Sequence, residues 1–421
     1  MRSASVRFDS PLRAQHETYA AAETRRRALA STSRTEHSSP AHAAQVQWIS
    51  WGNTAEVVSV FDSVELEYAA IRRSAAVCDR PERGTIEVTG DDRIGFLQRM
   101  LTQDLRPLSA GKVARAWWLN RKGRIEADML VCELGDRLLI DCAGSVAAST
   151  AAALGEFVFS DAVAITDVSQ REYRIAVHGP EALQLLSQIG ARAQALECLA
   201  SPTTGSSCAC ANLAAIPCVL VRHDTLAEVG VEIIVPRDQA ATVWSALLGE
   251  HDLLGSGRRR ARPCGWHAFN IARIEAGTPL FEVDFSTSSL PHETGLVAQC
   301  VSFTKGCYLG QEIVARMASL GKPKQVVCAF RMDQPVLPID GAQVFARTPD
   351  GSQGDEVGVV TSSTLSPMLG SAAIGFLTVK HAHASPGSEV LIVADGASAP
   401  AHVQSGLAWV KPSTEAGGRA T

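Results

Sequence analysis

From about residue 48 onward the apolar positions fall into two rhythms, one alternating every second residue and one recurring every third or fourth. The first marks half-buried strands, and the second marks helices that bury one stripe. Residues 85–88 read as a strand, after which Asp91 is placed to cap a helix carrying Ile94, Leu97 and Leu101 on one face. Strands are expected over 114–119, 127–133 and 137–142, then a helix over 145–157 and a strand over 162–168. The pattern then recurs. Residues 173–177 alternate as a strand, Pro180 stands at the first position of a helix with Leu183, Leu186 and Ile189 in line, and 218–222 and 229–235 are strands. A helix over 238–248 packs Val243, Trp244 and Leu247. Two mixed units follow from this, of the α+β kind rather than the strict βαβα run of a parallel sheet.

After Lys322-Pro323-Lys324 the texture changes to short strands at 326–331, 343–346, 357–361, 372–376 and 389–393, separated by Pro338, Gly341, Gly351, Gly370, Pro386 and Gly387. That spacing predicts a small all-β barrel or sandwich. Residues 23–45 are rich in Ala, Ser, Thr and Arg without apolar period and read as a mobile surface segment, and the end from Ser413 reads as frayed.

The chain has 421 residues, 46% hydrophobic and 20% charged, enough for several domains with real cores. A net charge of −5 gives no global field to recruit nucleic acid or an anionic membrane. The basic run Arg258-Arg259-Arg260-Ala261-Arg262 reads as a solvated loop, with phosphate binding as its alternative. No apolar stretch is long enough to span a bilayer. Residues 1–30 are broken by charge throughout, so no secretory signal is expected there, and Asp9, Glu17, Glu23 and Glu36 argue against a transit peptide. The expected location is the cytoplasm, or the mitochondrial matrix in a eukaryote. The eleven cysteines are odd in number and irregular in spacing, which predicts reduced thiols. Cys208-Ala209-Cys210 with Cys218, in what reads as a Ser/Thr-rich loop, lacks a fourth metal ligand in register, so no metal site is expected and no stable iron–sulfur cluster.

Phosphate-loop, dinucleotide, nucleophile-elbow and zinc-protease motifs are all absent. One segment concentrates small, polar and reactive residues: Lys305-Gly306-Cys307-Tyr308-Leu309-Gly310-Gln311-Glu312. The residues allow two readings. Either the glycines let backbone approach a ligand and Lys305 stabilises a Cys307 thiolate, or the segment is a tight turn with a capping Gln/Glu before Ile313-Val314.

That segment resembles the K-G-C-[FY]-x-G-Q-E signature of YgfZ-type iron–sulfur maintenance proteins, which belong to the superfamily of the glycine cleavage T-protein, an aminomethyltransferase. Val88-Thr89-Gly90-Asp91-Asp92, Leu101-Thr102-Gln103-Asp104, Leu119-Asn120-Arg121-Lys122-Gly123-Arg124-Ile125, His178-Gly179-Pro180, Arg273-Ile274-Glu275-Ala276-Gly277 and Pro291-His292-Glu293-Thr294-Gly295 are similar to other stretches of that superfamily. Pro11-Leu12 to His16 resembles its first helix. The resemblance implies a three-lobed ring of two related ferredoxin-like α+β lobes and a C-terminal β-barrel around a folate. It divides the chain into a largely irregular N-terminal segment with a short helix (1–47), a folate-binding region (48–325, with 84–168 inserted between 48–83 and 169–325) and a barrel (326–421).

By motif position the resemblance makes Asp128, Glu228 and Arg273 folate contacts, together with Gly306, Tyr308, Gly310, Gln311 and Glu312. It makes Cys307, Lys305 and Asp128 the reactive residues. Each has a plainer alternative: Asp128 facing solvent, Glu228 as a turn carboxylate, and Arg273 paired with Glu275 or Glu293. The implied cofactor is tetrahydrofolate or a related reduced folate. The implied partners are iron–sulfur client enzymes or assembly factors, with the protein a monomer. Three departures from the T-protein pattern favour the YgfZ branch over the alternative, a folate-dependent one-carbon transferase. Ala127 replaces the first of two aspartates, Thr225-Leu226-Ala227-Glu228 stands for Y-T-G-E, and the Lys305–Glu312 segment replaces K-x-x-F-x-G-K.

Overall fold

The computed structural model describes residues 9–32, 45–200, 206–249, 253–254, 258–259 and 261–409. The chain forms two compact units, one from Met1–Ile86, Asp167–Asp224 and Glu228–Phe269, the other from Glu87–Thr166, Thr225–Ala227 and Asn270–Thr421.

The first unit is built on a six-stranded sheet in the order Cys208–Leu213, Ile216–Arg222, Gly230–Pro236, Glu172–His178, Ala75–Asp79 and Ala261–Cys264. Only the last pair is parallel. Alternation decides its faces. Tyr173, Ile175 and Val177 point to one side with Val231, Ile233 and Val235, where they meet Val243, Trp244 and Leu247 of the Ala240–Leu247 helix. The opposite positions Cys78, Arg174, His178 and Glu232 are buried as well, at 0–3% exposure, so this sheet carries polar groups in its interior. Burial holds the His178 imidazole well below its usual range.

Helix Arg13–Thr32 occupies part of the stretch expected to be mobile, while residues 33–44 lie outside the described residues. It is anchored by chemistry rather than by amphipathicity. His16 Nε2 lies 2.7 Å from Asp79 Oδ2 in a box of Trp48, Phe61 and Trp244 rings. Tyr173 Oη and Ser10 Oγ donate to the same carboxylate at 2.5 and 2.6 Å.

Several expectations need correction. Cys208–Leu213 is an edge strand, not a loop, and residues 201–205 before it are not described. Arg258–Arg259 pairs with Leu253–Leu254, and Ala261–Cys264 is a strand, so the basic run is no simple loop; Arg260 lies outside the described residues. The helix after Pro180 begins at Ala182. The helix of the inserted segment, Arg93–Met100, is preceded by Asp92 rather than capped by Asp91, and the Asp92 side chain accepts from Ala162 N instead.

In the second unit a five-stranded sheet runs in the order Val113–Leu119, Ile125–Glu133, Leu138–Ala143, Arg83–Thr89, Ala164–Asp167. A closed barrel follows, in the order Gln325–Met332, Ala372–Lys380, Gln353–Ser366, Gln343–Arg347, Glu389–Ala394, Ala397–Val403. Cys328, Phe330, Met332, Val344, Leu377, Val379, Val390 and Ile392 fill it with a period of two. The expected strand at 357–361 extends over Gln353–Ser366 because its buried positions include hydroxyls. Ser362 and Thr361 donate to Asp284, and Ser366 donates to Glu275. Residues from Ser413 are not described. Among the described residues no helix is long and apolar enough to cross a membrane.

Glu67 gives the first unit a pH signature. Its carboxylate is 1% exposed and accepts from Phe61 N, Asp62 N and Gly265 N at 2.8–2.9 Å. Burial nevertheless raises it from 4.5 to about 7. The folded state then holds more protons than the unfolded chain between these values. Its contribution is present in full below 4.5 and is lost as pH rises through about 7. Thermal unfolding followed from pH 5 to 8 is expected to show a loss on the order of 2–3 kcal/mol from this group. Glu67→Gln should be less stable at pH 5 and lack that part of the slope.

Candidate functional site

The chemistry singled out in the sequence gathers largely in the second unit, and its scaffold is an interlock of two motifs. Asn120 turns the chain between strands Val113–Leu119 and Ile125–Glu133. Its Oδ1 accepts from Lys122 N and Arg124 N at 2.9 and 3.2 Å. Against this turn lies Gly310, the residue before helix Gln311–Leu320, with φ of 80°. A Cβ on Gly310 would sit 2.6 Å from Asn120 O, and one on Gly123 would sit 2.7 Å from Ile313 Cβ. The glycines therefore let the two motifs touch each other. Gly306, by contrast, is exposed, and a methyl group placed there would meet nothing within 4 Å.

Lys305 does not serve Cys307. Its Nζ donates to Gln98 O, Leu101 O and Gln103 O at 2.6, 2.5 and 3.0 Å, which caps the end of helix Arg93–Met100. Burial lowers the ammonium to about 8, while the three carbonyls oppose that by favouring the charged form. Its three protons are thereby directed away from the thiol, and Cys307 stands exposed. Gln311 Oε1 accepts from Tyr308 N at 3.0 Å and closes the turn. Tyr308 is half-buried against the cluster of Trp117, Leu119, Ile125 and Val314, and burial pushes its phenol up to about 12. Glu312 is exposed in the first turn of its helix, where a carboxylate suits the helix dipole.

Asp128 lies on the same sheet, directly across from Trp117. Its two oxygens accept from Arg115 Nε and Nη2 at 3.1 and 2.6 Å. Arg115 belongs to none of the sequence motifs, so the structure alone brings it to the site. Trp117 is fully buried, and its indole N–H has no acceptor among the described residues. Cys300 is buried close to the pair, and burial pushes its thiol up to about 12, so it stays protonated at neutral pH. Thr102 ties this region to the loop: its hydroxyl donates to Cys300 O at 2.6 Å and accepts from Trp117 N at 2.9 Å.

The other two expected contacts are placed elsewhere. Arg273 is completely buried, and Nη1 donates to Asp284 Oδ2 at 2.5 Å while Nε donates to Asn270 Oδ1 at 2.9 Å. Its ion-pair partner here is Asp284. Asp284 also accepts from the barrel hydroxyls Thr361 and Ser362, so Arg273 stands in a buried network with the barrel. Glu228 belongs to the first unit, where Arg72 Nη1 approaches its Oε1 at 3.5 Å. Ala227 just before it has a φ of 64°, a left-handed conformation that explains why the T-protein pattern has glycine there.

Three substitutions test the backbone contacts. Gly310→Ala is expected to cost about 2–4 kcal/mol, from the close contact and the positive φ together. Gly306→Ala should be close to neutral, and Ala227→Gly should stabilise by about 1 kcal/mol. Chemical denaturation of the three variants would measure all of these, and equal effects at 306 and 310 would contradict the interlock.

Comparison with known proteins agrees with this architecture. Residues 35–305 match the GCVT N-terminal domain and residues 324–411 match the glycine cleavage T-protein C-terminal barrel domain. A probable aminomethyltransferase of Halobacterium salinarum is 30% identical over 342 residues, covering 79% of this chain and 86% of the relative. An aminomethyltransferase of Geobacillus kaustophilus is 29% identical over 332 residues, covering 78% and 86%. The crystal structure of glycine cleavage system aminomethyltransferase T from Bartonella henselae superposes with a TM-score of 0.72 at 20% identity, over 88% of this chain and 95% of that one. The chain belongs to the glycine cleavage T-protein (aminomethyltransferase) family.

Proposed function

We propose that the protein binds a reduced folate and transfers a one-carbon unit to or from it, as an aminomethyltransferase does. The observation that carries this reading is Asp128, a partly exposed carboxylate held at a defined place on the sheet by two bonds from Arg115. A carboxylate there accepts hydrogen bonds from the amino and ring N–H groups of a pterin. That acceptor fits a reduced folate, whose nucleophilic amine supplies the transfer chemistry when bound. Asp128 holds the pterin end while the carbon bonds to that amine and leaves its carrier, the freed carrier and ammonia departing with the protons of the folate amines. The near full-length match to proteins named aminomethyltransferase supports this reading over iron–sulfur maintenance.

Ala127 is fully buried, so this chain lacks the neighbouring carboxylate of the usual pair, and Asp128 carries the role alone.

One observation favours a second reading, a YgfZ-like factor that uses folate to sustain iron–sulfur enzymes: Cys307 is exposed on the signature loop. Lys305 donates to three backbone carbonyls instead, which weakens that reading.

Calorimetry with tetrahydrofolate under reducing conditions is expected to show binding to the wild type. Asp128→Asn should weaken it about thirtyfold, the loss of a hydrogen bond to a charged acceptor. A carrier-bound aminomethyl group should then yield methylene-tetrahydrofolate. Absence of folate binding by the wild type overturns the proposal. Binding without transfer would favour the iron–sulfur reading.

A further inference from the structure

We infer that Arg115 is a positioning residue for Asp128, setting the direction in which that carboxylate meets the ligand. The inference rests on the folate reading above and deepens it.

Register places the two residues for this task. Trp117 faces Asp128 across strands Val113–Leu119 and Ile125–Glu133, and Arg115 faces Leu130, so Arg115 is the diagonal neighbour of Asp128 on one face. The guanidinium fork meets both carboxylate oxygens, Nε to Oδ1 and Nη2 to Oδ2. Two parallel bonds fix the plane of the carboxylate, which a single contact leaves free to rotate. Each oxygen retains a further lone pair, and these become acceptors with set directions.

The surroundings give the pair more weight than a surface bridge. Its side chains are 15% and 13% exposed, and its neighbours include buried Trp117 and Cys300. Solvent screening there is weaker than at an open surface, and the competing rotamers of both side chains are restricted. A lysine at 115 would supply the charge but not the fork, so its point charge could not set the carboxylate plane. The paired carboxylate also meets a ligand without a bare negative charge, an arrangement suited to neutral N–H donors.

A double-mutant cycle on the full chain tests the inference, read as tetrahydrofolate affinity and, in the transfer assay, as kcat and KM separately. Arg115→Ala is expected to weaken binding about tenfold, and Arg115→Lys to recover only part of that. In the Asp128→Asn background, Arg115→Ala should add less than about twofold, because its effect passes through the carboxylate. Added guanidinium should partly rescue Arg115→Ala but not the double variant. Additive losses would overturn the inference, since Arg115 would then be contacting the folate or supporting the fold on its own account. Unchanged affinity in a stably folded Arg115→Lys would overturn it as well. Failure of the wild type to bind folate would remove the underlying reading instead, an outcome distinct from both.

Discussion

Gly310 lies so close to the carbonyl of Asn120 that a methyl group in its place would approach to 2.6 Å, and Gly123 stands equally close to Ile313. This contact joins the segment 305–314 to the turn between the first two strands of the five-stranded sheet. Once it is made, Tyr308 and Val314 cover Trp117, and Thr102 connects Trp117 to Cys300. The loop, the sheet face and Asp128 are then parts of one packed structure. Interiors packed at this density leave little room to slide, so a displacement at Gly310 would be felt at Trp117, across the sheet from Asp128.

Charge in this protein is divided between structural and chemical tasks, and burial tells the two apart. Arg273 with Asp284 is sealed from solvent and shared with barrel hydroxyls, an arrangement that binds helix, loop and barrel strand together. His16 with Asp79 performs the same service for the N-terminal helix. Removing one partner of such a pair leaves a buried charge uncompensated, which costs about 3–5 kcal/mol. Arg115 with Asp128 keeps a small exposure, enough for a ligand to reach the carboxylate. Lys305 forms a third class, an ammonium that donates to backbone carbonyls at a helix end and lies over the Tyr308 ring.

The alternation of Tyr173, Ile175 and Val177 and the turn-separated strands after residue 322 make the sheets and the barrel legible, because apolar period directly reports a buried face. Strand Gln353–Ser366 is longer than its apolar pattern indicates, since Ser362, Thr364 and Ser366 are buried through hydroxyls that such a pattern counts as loop. Cys208–Leu213 escapes the same pattern because an edge strand with several partly or fully exposed positions resembles a loop in composition. Of the residues proposed to meet the ligand, Asp128 stands in a sequence motif. Arg115 is not legible in the sequence, because which residue lies diagonal to an aspartate depends on strand register. The acceptors of Lys305 are backbone atoms more than 200 positions away, and backbone carries no sequence signal.

Hydrogen exchange measured by mass spectrometry with and without tetrahydrofolate tests most directly the claim that folate is met by the face bearing Asp128 and the loop packed on it. Added protection is expected in residues 113–133 and 299–312, with the barrel strands at 343–347 and 389–394 unchanged. Protection confined to the barrel, or spread evenly over the chain, would contradict it.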